Sequence, residues 1–266
     1  MIEDKVAFLG PQGTFSHEAA SLVSDNLISY CSIQQVMGAV ESGDCVCGIV
    51  PIENSIEGPV SLTLDSLIHN FDLKIKNEIV IPINHNLLAA KEMTVDEVEN
   101  VYSHSQALEQ CRTYLNEKFA DVEKIPVSST SYAASLAQKE SDTACICNEI
   151  CKDLYDLEIV SDNIQDIKDN KTRFIVLSKA KNSRETKKTS IVFSTKDEPG
   201  ALYKILGMFS IAEINLTKIE SRPAKTKLGD YIFFVDLEGD EKDPKIKLTL
   251  DNIANLCDEF RILGSY

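Results

Sequence analysis

Residues 1 to about 180 alternate between short apolar runs and amphipathic segments, and this alternation constrains the fold more than any other feature of the sequence. The runs at 5–10 and 45–50 have the length and composition of buried strands, and segments with helical periodicity follow them. Strands that alternate with helices are typical of βαβ units, in which helices cover the faces of a mostly parallel sheet. The sequence therefore predicts an α/β fold with a mostly parallel sheet for this part of the chain.

The pattern changes after a basic segment at 179–188, KAKNSRETKK, which has few apolar residues and which we interpret as a linker. Beyond it, residues 189–266 show the order strand, helix, strand, strand, helix, strand, which is the order of a ferredoxin-like domain. The sequence therefore predicts a domain at 1–180, a linker at 181–188 and a smaller βαββαβ domain at 189–266.

The composition argues against several classes of partner. A formal net charge of −15 at pH 7 disfavours binding to nucleic acid and to anionic membrane surfaces. No apolar stretch reaches the ~20 residues that span a bilayer, and the first ten residues lack the basic and apolar regions of a signal peptide. We therefore expect a cytoplasmic protein that binds neither nucleic acid nor a membrane.

The eight cysteines raise the question of a metal site or of disulfides. Cys45 and Cys47 are two residues apart on a predicted strand, as are Cys145 and Cys147, and no pair has the CxxC spacing of a zinc site. Cysteine in a cytosolic protein commonly packs as a small apolar residue. We therefore predict that the cysteines are structural and that the protein holds no metal.

Three adjacent polar residues, Glu53, Asn54 and Ser55, follow the apolar run CVCGIV at 45–50. We interpret this run as a strand that ends before them, so that all three side chains lie in a turn at its carboxyl end. Ligands of open α/β sheets bind at the carboxyl ends of the strands. The turn is therefore a candidate ligand site.

A second polar group, Thr172 and Arg173, stands immediately before the apolar run FIVLS at 174–178. An arginine can hold a carboxylate in bidentate geometry, and a threonine hydroxyl can donate a hydrogen bond to a departing oxygen. A Thr–Arg pair that faces water at a strand edge is the alternative. Together with the turn at 53–55, these residues favour a small, anionic, oxygen-rich substrate.

Several junctions share one design, in which an apolar strand leads through a small polar turn into a helix. Hydroxyl groups and free backbone N–H groups at a helix N-terminus favour anions, although Ser and Thr there also serve as ordinary helix caps. Motifs typical of hydrolases, nucleotide-binding proteins and metalloproteases do not occur, and His85 and His104 near strand ends can hydrogen-bond a ligand. The junctions are GPQGTFS at 10–16, PIENS at 51–55, SHSQ at 103–106 and SSTSY at 128–132.

At these segments the chain resembles the prephenate dehydratase family. PGAL at 199–202 and ESRP at 220–223 resemble motifs of an ACT regulatory domain, although spacing alone also allows them to begin a helix and to end a strand. The resemblance covers almost the whole chain in the family's order, and PIENS, TRF and ESRP together are highly specific. The other matching segments are LGPQGTFSHEAA at 9–20, VPIENSIEGPV at 50–60, SHSQALEQC at 103–111 and NKTRFIVLS at 170–178.

The chain departs from the family's pattern at a few positions. Ser105 stands where proline is usual, which affects the stiffness of that loop. Cys145, Cys147 and Cys151 stand where small residues such as alanine are common. None of these departures removes a proposed catalytic group.

The resemblance implies an α/β catalytic domain of two lobes, like a periplasmic binding protein, with the substrate cleft between them. One lobe would comprise about 1–79 plus 160–180 and the other about 80–159, and an ACT domain of βαββαβ order would follow. The implied reaction is the decarboxylating dehydration of prephenate to phenylpyruvate, with loss of carbon dioxide and water, on the route to L-phenylalanine. No cofactor is implied.

The resemblance also implies roles for individual residues. Thr172 would hydrogen-bond or protonate the leaving hydroxyl, and Arg173 would hold a substrate carboxylate or orient the loop. Glu53 would orient its neighbours or act through a proton network, and neutral side chains would donate hydrogen bonds. The remaining catalytic candidates are Asn54, Ser55 and Gln110, and the remaining substrate-binding candidates are Phe174, Thr14 and Ser103.

For the tail, the resemblance implies feedback by L-phenylalanine bound between two ACT domains, in a homodimer or homotetramer that assembles through them. Two alternatives remain open, an arogenate dehydratase that acts on the aminated substrate and a non-catalytic amino-acid sensor on the same folds. The intact PIENS and TRF segments argue against the sensor. The candidate effector-binding residues are Gly200, Ala201, Leu202, Asn215, Glu220, Ser221 and Arg222.

Overall fold

The structure is a computed structural model that describes residues 4–140, 142–180, 186–195, 197–226 and 230–266. The strands form three sheets. Most of the predicted linker, residues 181–185, lies outside the described residues, and its last residue, Lys188, already begins the first strand of the third sheet.

The part before the linker contains the strands of two sheets and the helices that cover them. The strands are β1 (Val6–Leu9), β2 (Leu27–Tyr30), β3 (Cys47–Asn54), β4 (Gly58–Pro59), β5 (Lys74–Pro82), β6 (Asn86–Ala89), β7 (Asn100–His104), β8 (Glu123–Val127), β9 (Thr143–Cys147), β10 (Glu158–Ser161) and β11 (Lys171–Ser178). The helices are α1 (Phe15–Ser21), α2 (Ile33–Ser42), α3 (Ser61–His69), α4 (Ser105–Gln110), α5 (Arg112–Lys118), α6 (Thr130–Ala137) and α7 (Ile150–Tyr155), with a short 3-10 helix at Val95–Glu97.

Both sheets of this part are mixed, so the prediction of a mostly parallel sheet was wrong. In the first sheet, of order β2-β1-β3-β11-β5, β1 is parallel to β2 and β3, whereas β11 is antiparallel to β3 and β5. In the second sheet, of order β10-β6-β9-β7-β8, β7 is parallel to β8 and β9, whereas β6 is antiparallel to β9 and β10. The chain passes between the sheets from β5 to β6 and from β10 to β11 without a helix, so no βαβ unit imposes a parallel direction there.

Further differences concern short elements. The sequence does not predict β10, a four-residue edge strand at Glu158–Ser161, because its run EIVS is too short to stand out from its polar surroundings. The segment from Gln106 to Phe119, for which the sequence predicts one continuous helix, is divided in two at Cys111, whose backbone leaves the helical region with φ −115° and ψ 19°.

The C-terminal domain has the predicted βαββαβ order. Its elements are β12 (Lys188–Ser194), α8 (Ala201–Ile211), β13 (Leu216–Pro223), β14 (Tyr231–Glu238), α9 (Pro244–Ala254) and β15 (Phe260–Ser265). They form an antiparallel sheet of order β13-β14-β12-β15. Phe193, Phe209 and Leu237 are buried in the core between this sheet and its two helices.

The opposite face of the third sheet packs against the first sheet. Val192 and Phe234 of the third sheet are fully buried in one core with Ile75 and Leu177 of the first sheet. The C-terminal domain is therefore joined to the first sheet by a shared hydrophobic core.

The close approach of β15 to β5 depends on the glycine at position 264. A Cβ atom at Gly264 would lie 2.1 Å from the carbonyl oxygen of Ile75, so a side chain requires the backbone to move. We expect Gly264→Ala to lower the free energy of unfolding by roughly 1–3 kcal/mol in a urea titration. Gly207→Ala is the matched control, because a Cβ at Gly207 in α8 meets no atom within 4 Å. An equal loss in both variants would contradict this interpretation.

Candidate active site

A cavity of about 310 Å³ lies between the first and second sheets. Asn54 at the end of β3 and Thr172 at the start of β11 meet at its wall, because the two antiparallel strands pair these residues in register. Segments that are 118 residues apart in the chain thus share one site. The lining residues are Leu9, Thr14, Phe15, Ser16, Asn54, Ile83, His85, His104, Gln106, Ala107, Gln110, Ser128, Ser129, Thr130, Asn170, Thr172 and Phe174.

Strand β3 continues through Asn54, so the turn begins at Ser55 and not at Glu53 as the sequence predicted. The pairing of Glu53 and Asn54 with β11 and β4 extends the strand beyond its apolar run. Successive side chains of a strand point to opposite faces. On β11, the side chains of Thr172 and Arg173 alternate in the same way. Asn54 and Thr172 therefore line the cavity, whereas Glu53 and Arg173 do not.

The side-chain amide of Asn54 donates a hydrogen bond to the hydroxyl of Thr172. Its Oδ1 accepts hydrogen bonds from the backbone N–H of Ile56 at 2.9 Å and of Glu57 at 3.0 Å, which turns Nδ2 toward Thr172. Nδ2 then donates to Oγ1 of Thr172 at 2.9 Å. Because Oγ1 accepts this bond, and because its own hydrogen has no acceptor within the described part of the chain, Thr172 can donate to a molecule in the cavity.

A series of amide side chains extends from Asn54 across the cleft. Asn54 Nδ2 also donates to Oδ1 of Asn170 at 2.8 Å, and Asn170 Nδ2 donates to Oε1 of Gln110 at 3.3 Å. The same Gln110 oxygen lies 2.9 Å from Nε2 of His85, and Gln110 Nε2 donates to Oε1 of Glu57 at 3.3 Å. These bonds fix the amide orientations and connect the two sheets at the site.

Three candidates have their polar atoms engaged locally. Ser103 is fully buried and donates to the carbonyl oxygen of Ile146 at 2.6 Å, so it does not line the cavity, in contrast to the prediction. Next to the site, Ser55 Oγ accepts a hydrogen bond from the backbone N–H of Lys171 at 2.9 Å and donates one to Oδ1 of Asn170 at 3.3 Å. Thr14 lines the cavity as the N-cap of α1.

Arg173 does not line the cavity, where it would have to lie to hold a substrate carboxylate, while the predicted alternative, that it orients the loop, stays a prediction. Its Nη1 lies 2.6 Å from Oδ2 of Asp236 and 3.2 Å from Oε2 of Glu78, on the face toward the C-terminal domain. Glu53 points to the same face, where its Oε2 is 3.4 Å from Arg173 Nε and its Oε1 accepts from Nζ of Lys218 at 2.6 Å. We call Glu53, Glu78, Arg173, Lys188, Lys218 and Asp236 the interdomain charge cluster.

Lys188 completes the interdomain charge cluster with bonds of 2.6 and 2.7 Å to the carboxylate of Glu78. Burial alone would lower the pKa of Arg173, but the carboxylates of Asp236 and Glu53 outweigh it and the pKa is raised. Asp236 is fully buried and also accepts from Ser190 Oγ at 2.5 Å. Arg173 is therefore a permanent cation whose principal partner belongs to β14.

The candidate effector residues lie along β13 and at the start of α8. Gly200 begins the helix with φ 81°, in the left-handed region that favours glycine. Glu220 and Arg222 pair with β14 residues whose side chains pack toward the first sheet, while Ser221 points to the other face. Arg222 forms a bidentate pair with Asp65 of α3, at 2.8 and 3.1 Å, and thereby lowers the pKa of that carboxyl. Ala201 and Leu202 are half-buried and Asn215 is exposed.

Some residues of the site were not identified as candidates from the sequence. Asn170 bonds Asn54, Ser55 and Gln110, and the available signal was its place two residues before Thr172 in NKTRF. Phe15 packs edge-on against His85 with ring centroids 5.5 Å apart. An aromatic residue after a glycine-rich turn carries no specific signal, so only the fold identifies it.

The cysteines lie among the residues that the structure describes, and none of them forms a disulfide. All eight cysteines are free, and those at positions 145, 147 and 151 are fully buried together in one apolar core, as predicted for structural residues. No described group of three His, Cys, Asp or Glu side chains is arranged to hold a metal ion. Over the same ranges, no helix has the length and apolarity to cross a bilayer.

Burial also makes the stability of the protein depend on pH. Desolvation lowers the pKa of His85 below its ordinary value of 6.5, although the hydrogen bond to Gln110 acts in the opposite direction. The unfolded chain therefore binds this proton first as the pH falls, and the free energy of unfolding decreases from pH 6.5 downward to the lower folded pKa. Urea titrations at pH values on both sides of 6.5 should show a smaller decrease for His85→Phe than for the unchanged protein. Parallel decreases would contradict the assignment to His85.

Comparison with known proteins identifies the family. The family model of prephenate dehydratase matches residues 6–182, and that of the ACT domain matches residues 189–255. A bifunctional chorismate mutase/prephenate dehydratase of Aquifex aeolicus is 44% identical over 98% of this chain and 73% of its own length. A prephenate dehydratase of Lactococcus lactis subsp. cremoris is 39% identical over 98% of this chain and 97% of its own.

A solved structure gives the same result. The prephenate dehydratase of Arthrobacter aurescens, determined in complex with L-Phe, superposes with a TM-score of 0.90 and 32% identity over 98% of this chain and 89% of that one. The predicted fold class, a two-lobed α/β domain followed by an ACT domain, is therefore confirmed. By family match, full-length identity and fold, the chain belongs to the prephenate dehydratase family and ends in an ACT domain.

Proposed function

We propose that this protein is a prephenate dehydratase, which converts prephenate to phenylpyruvate, carbon dioxide and water. The observation that carries the proposal is the hydroxyl of Thr172, which accepts a hydrogen bond from Asn54 at 2.9 Å and keeps its own hydrogen for the cavity. A fixed donor of this kind suits a reaction in which a ring hydroxyl must leave.

The reaction needs no oxidant, reductant or co-substrate, and it consumes one proton that comes from solvent water, directly or by replacing a proton that Thr172 has donated. The bond between the ring and its carboxylate breaks, and its electron pair enters the ring as carbon dioxide departs. The bond between the ring and the hydroxyl oxygen breaks at the opposite position, and that oxygen takes a proton and leaves as water. Thr172 supplies the hydrogen bond or proton to the departing oxygen, and Asn54 stabilises the threonine oxygen while its charge changes.

The remaining lining suits an anion with an apolar ring. Phe174, Phe15 and Ile83 offer apolar walls. Ser129 and Thr130 at the start of α6 contribute hydroxyl groups near a helix N-terminus, which favours a carboxylate. No lysine or arginine occurs among the described lining residues, so neutral donors would hold the substrate. No cofactor takes part in this proposal.

The direct test is to supply the purified protein with prephenate and to follow phenylpyruvate and carbon dioxide. We expect equimolar formation of both. Arogenate is supplied in parallel, and its preferential conversion to phenylalanine would identify an arogenate dehydratase instead. Absence of turnover with either acid, combined with binding of amino acids by calorimetry, would identify a sensor and overturn the proposal.

We also propose that L-phenylalanine is the feedback effector and that it binds at the ACT domain. The complex of the Arthrobacter relative with L-Phe supports this ligand. The exposed positions of Gly200, Asn215 and Ser221 leave them available to a ligand or to a second ACT domain. In our proposal two ACT domains pair along the edge strand β13, giving a homodimer or a homotetramer, which sedimentation with and without L-phenylalanine would test.

The proposed domain division is a catalytic domain at 1–180, a linker at 181–188 and an ACT domain at 189–266. The membership of the sheets supports two lobes, with boundaries a few residues from those predicted. Strand β5 extends the first sheet to Pro82, and β10 keeps residues up to Ser161 in the second. We propose a cytoplasmic location, which the eight free cysteines support because free thiols persist in a reducing compartment.

A further inference from the structure

Both residues of the central hydrogen bond have a charged neighbour that is held by the ACT domain. Asn54 follows Glu53, whose Oε1 accepts from Nζ of Lys218 at 2.6 Å. Thr172 precedes Arg173, whose Nη1 bonds Oδ2 of Asp236 at 2.6 Å. Because side chains alternate along a strand, Asn54 and Thr172 face the cavity, whereas Glu53 and Arg173 face the third sheet, which belongs to the ACT domain. Both ends of the Asn54–Thr172 bond are thus one residue away from a contact with the third sheet.

The two ACT residues lie on adjacent strands, and one strand carries candidate effector residues. Lys218 is on β13, two residues before Glu220, and Asp236 is on β14, where the register places it opposite Lys218. Water screens the Arg173–Asp236 pair little, because its side chains are 11% and 0% exposed. It screens the Lys218–Glu53 pair more, because the Glu53 side chain is 35% exposed. Movement of β13 relative to β14 changes the Lys218–Glu53 distance directly, and with it the position of Glu53 relative to Arg173.

The guanidinium of Arg173 has unused donors that permit a second arrangement. Its Nε and Nη2 atoms are buried without hydrogen-bond partners in the part of the chain that the structure describes. Glu53 Oε2 lies 3.4 Å from Nε of Arg173, while the other carboxylate oxygen, Oε1, pairs with Lys218. If Lys218 withdraws, Glu53 can move onto Arg173 and satisfy these donors, which shifts the strand end that carries Asn54. Two discrete arrangements of this kind are what allosteric coupling requires.

We propose that Lys218 and Asp236 are positioning residues, which hold Glu53 and Arg173 and so set the hydrogen bond between Asn54 and Thr172. Through them the ACT domain controls catalysis, and the effector acts by moving β13. This inference rests on the proposed dehydratase function and assigns its regulation to named contacts. It also gives Arg173 a role different from binding of the substrate.

The test compares Lys218→Met with Lys218→Arg in the full-length protein. The full chain is needed because removal of the ACT domain would expose the shared core around Phe234 and would take Asp236 away from Arg173. We expect Lys218→Met to reduce kcat for prephenate by roughly 2- to 30-fold with KM nearly unchanged, and Lys218→Arg to restore it. We expect Lys218→Met also to weaken inhibition by L-phenylalanine while calorimetry shows that L-phenylalanine still binds.

Arg261→Gln is the matched control. Arg261 of β15 donates to the carbonyl oxygens of Leu67 and Ile68, an interdomain contact that reaches no cavity residue. We expect this variant to keep the kcat and the inhibition of the unchanged protein. An equal change in both variants, or an unchanged kcat in Lys218→Met, would overturn the proposal.

A readout without substrate separates this inference from the proposed function. Hydrogen exchange of peptides that span 50–57 and 170–176 should be faster in Lys218→Met than in Arg261→Gln. If the protein does not convert prephenate but these peptides respond, the dehydratase proposal fails and the mechanical coupling stands. If turnover is normal and the peptides do not respond, the coupling fails and the dehydratase proposal stands.

Discussion

Replacing Thr172 with valine is expected to reduce kcat for prephenate by roughly 10²- to 10⁴-fold, the range typical of a general acid–base group. Valine keeps the shape of threonine and removes the hydroxyl that Asn54 holds at 2.9 Å. Neighbouring Asn54 keeps its bonds to Ile56, Glu57 and Asn170, so the site stays assembled. Steady-state kinetics should therefore show a large loss in kcat with a small change in KM.

Thr172→Ser is the matched control for this prediction. Serine restores the hydroxyl at the same position, and we expect it to recover most of the turnover. The hydrogen bond from Asn54 can form to either hydroxyl, whereas valine offers no acceptor. Equal activity of the valine and serine variants would show that the hydroxyl of residue 172 takes no part in the chemistry.

Replacing Arg173 with leucine is expected to lower the free energy of unfolding by roughly 3–5 kcal/mol, because it leaves a buried carboxylate without its cation. Asp236 is fully buried, and Arg173 Nη1 at 2.6 Å is its closest charge. Ser190 alone would remain as its hydrogen-bond donor among the described side chains. Urea titration followed by circular dichroism measures this loss.

Two variants control the prediction for Arg173. Arg222→Gln removes a second interdomain pair, with Asp65, whose side chains are 19% and 23% exposed. Pairs nearer the surface contribute less, and we expect a loss of roughly 1 kcal/mol or less. The double variant Arg173→Met with Asp236→Leu removes both charges and should recover much of the stability. If Arg173→Leu costs no more than Arg222→Gln, then Asp236 is not held as the structure indicates.

The sequence identified the chemistry of the site better than its geometry. Asn54 and Thr172 were candidates because they stand beside apolar runs, the resemblance implied their catalytic roles, and the two do meet in the cavity. Glu53 and Arg173 were assigned to the same site because they adjoin these residues in the chain. Strand pairing extends through both positions and turns their side chains to the opposite face.

The contacts of the C-terminal domain were beyond local sequence patterns. Asp236 is a single charged residue within an apolar strand. Its sequence neighbours do not indicate that its partner is Arg173, which lies 63 residues away in the chain. The mixed direction of the sheets was missed for a similar reason. Helical and strand periodicity report local structure, whereas the direction in which β11 enters the first sheet depends on the chain crossing between the two sheets.

The central claim is that the cleft between the first two sheets binds prephenate with its ring hydroxyl at Thr172. The most direct measurement is a crystal structure of Thr172→Val soaked briefly with excess prephenate, since this variant should bind the substrate and convert it only slowly. We expect the substrate in the cavity, with its ring hydroxyl oxygen beside residue 172 and its two carboxylates away from Arg173. Prephenate bound elsewhere, or bound in the cavity with a carboxylate on Arg173, would contradict it.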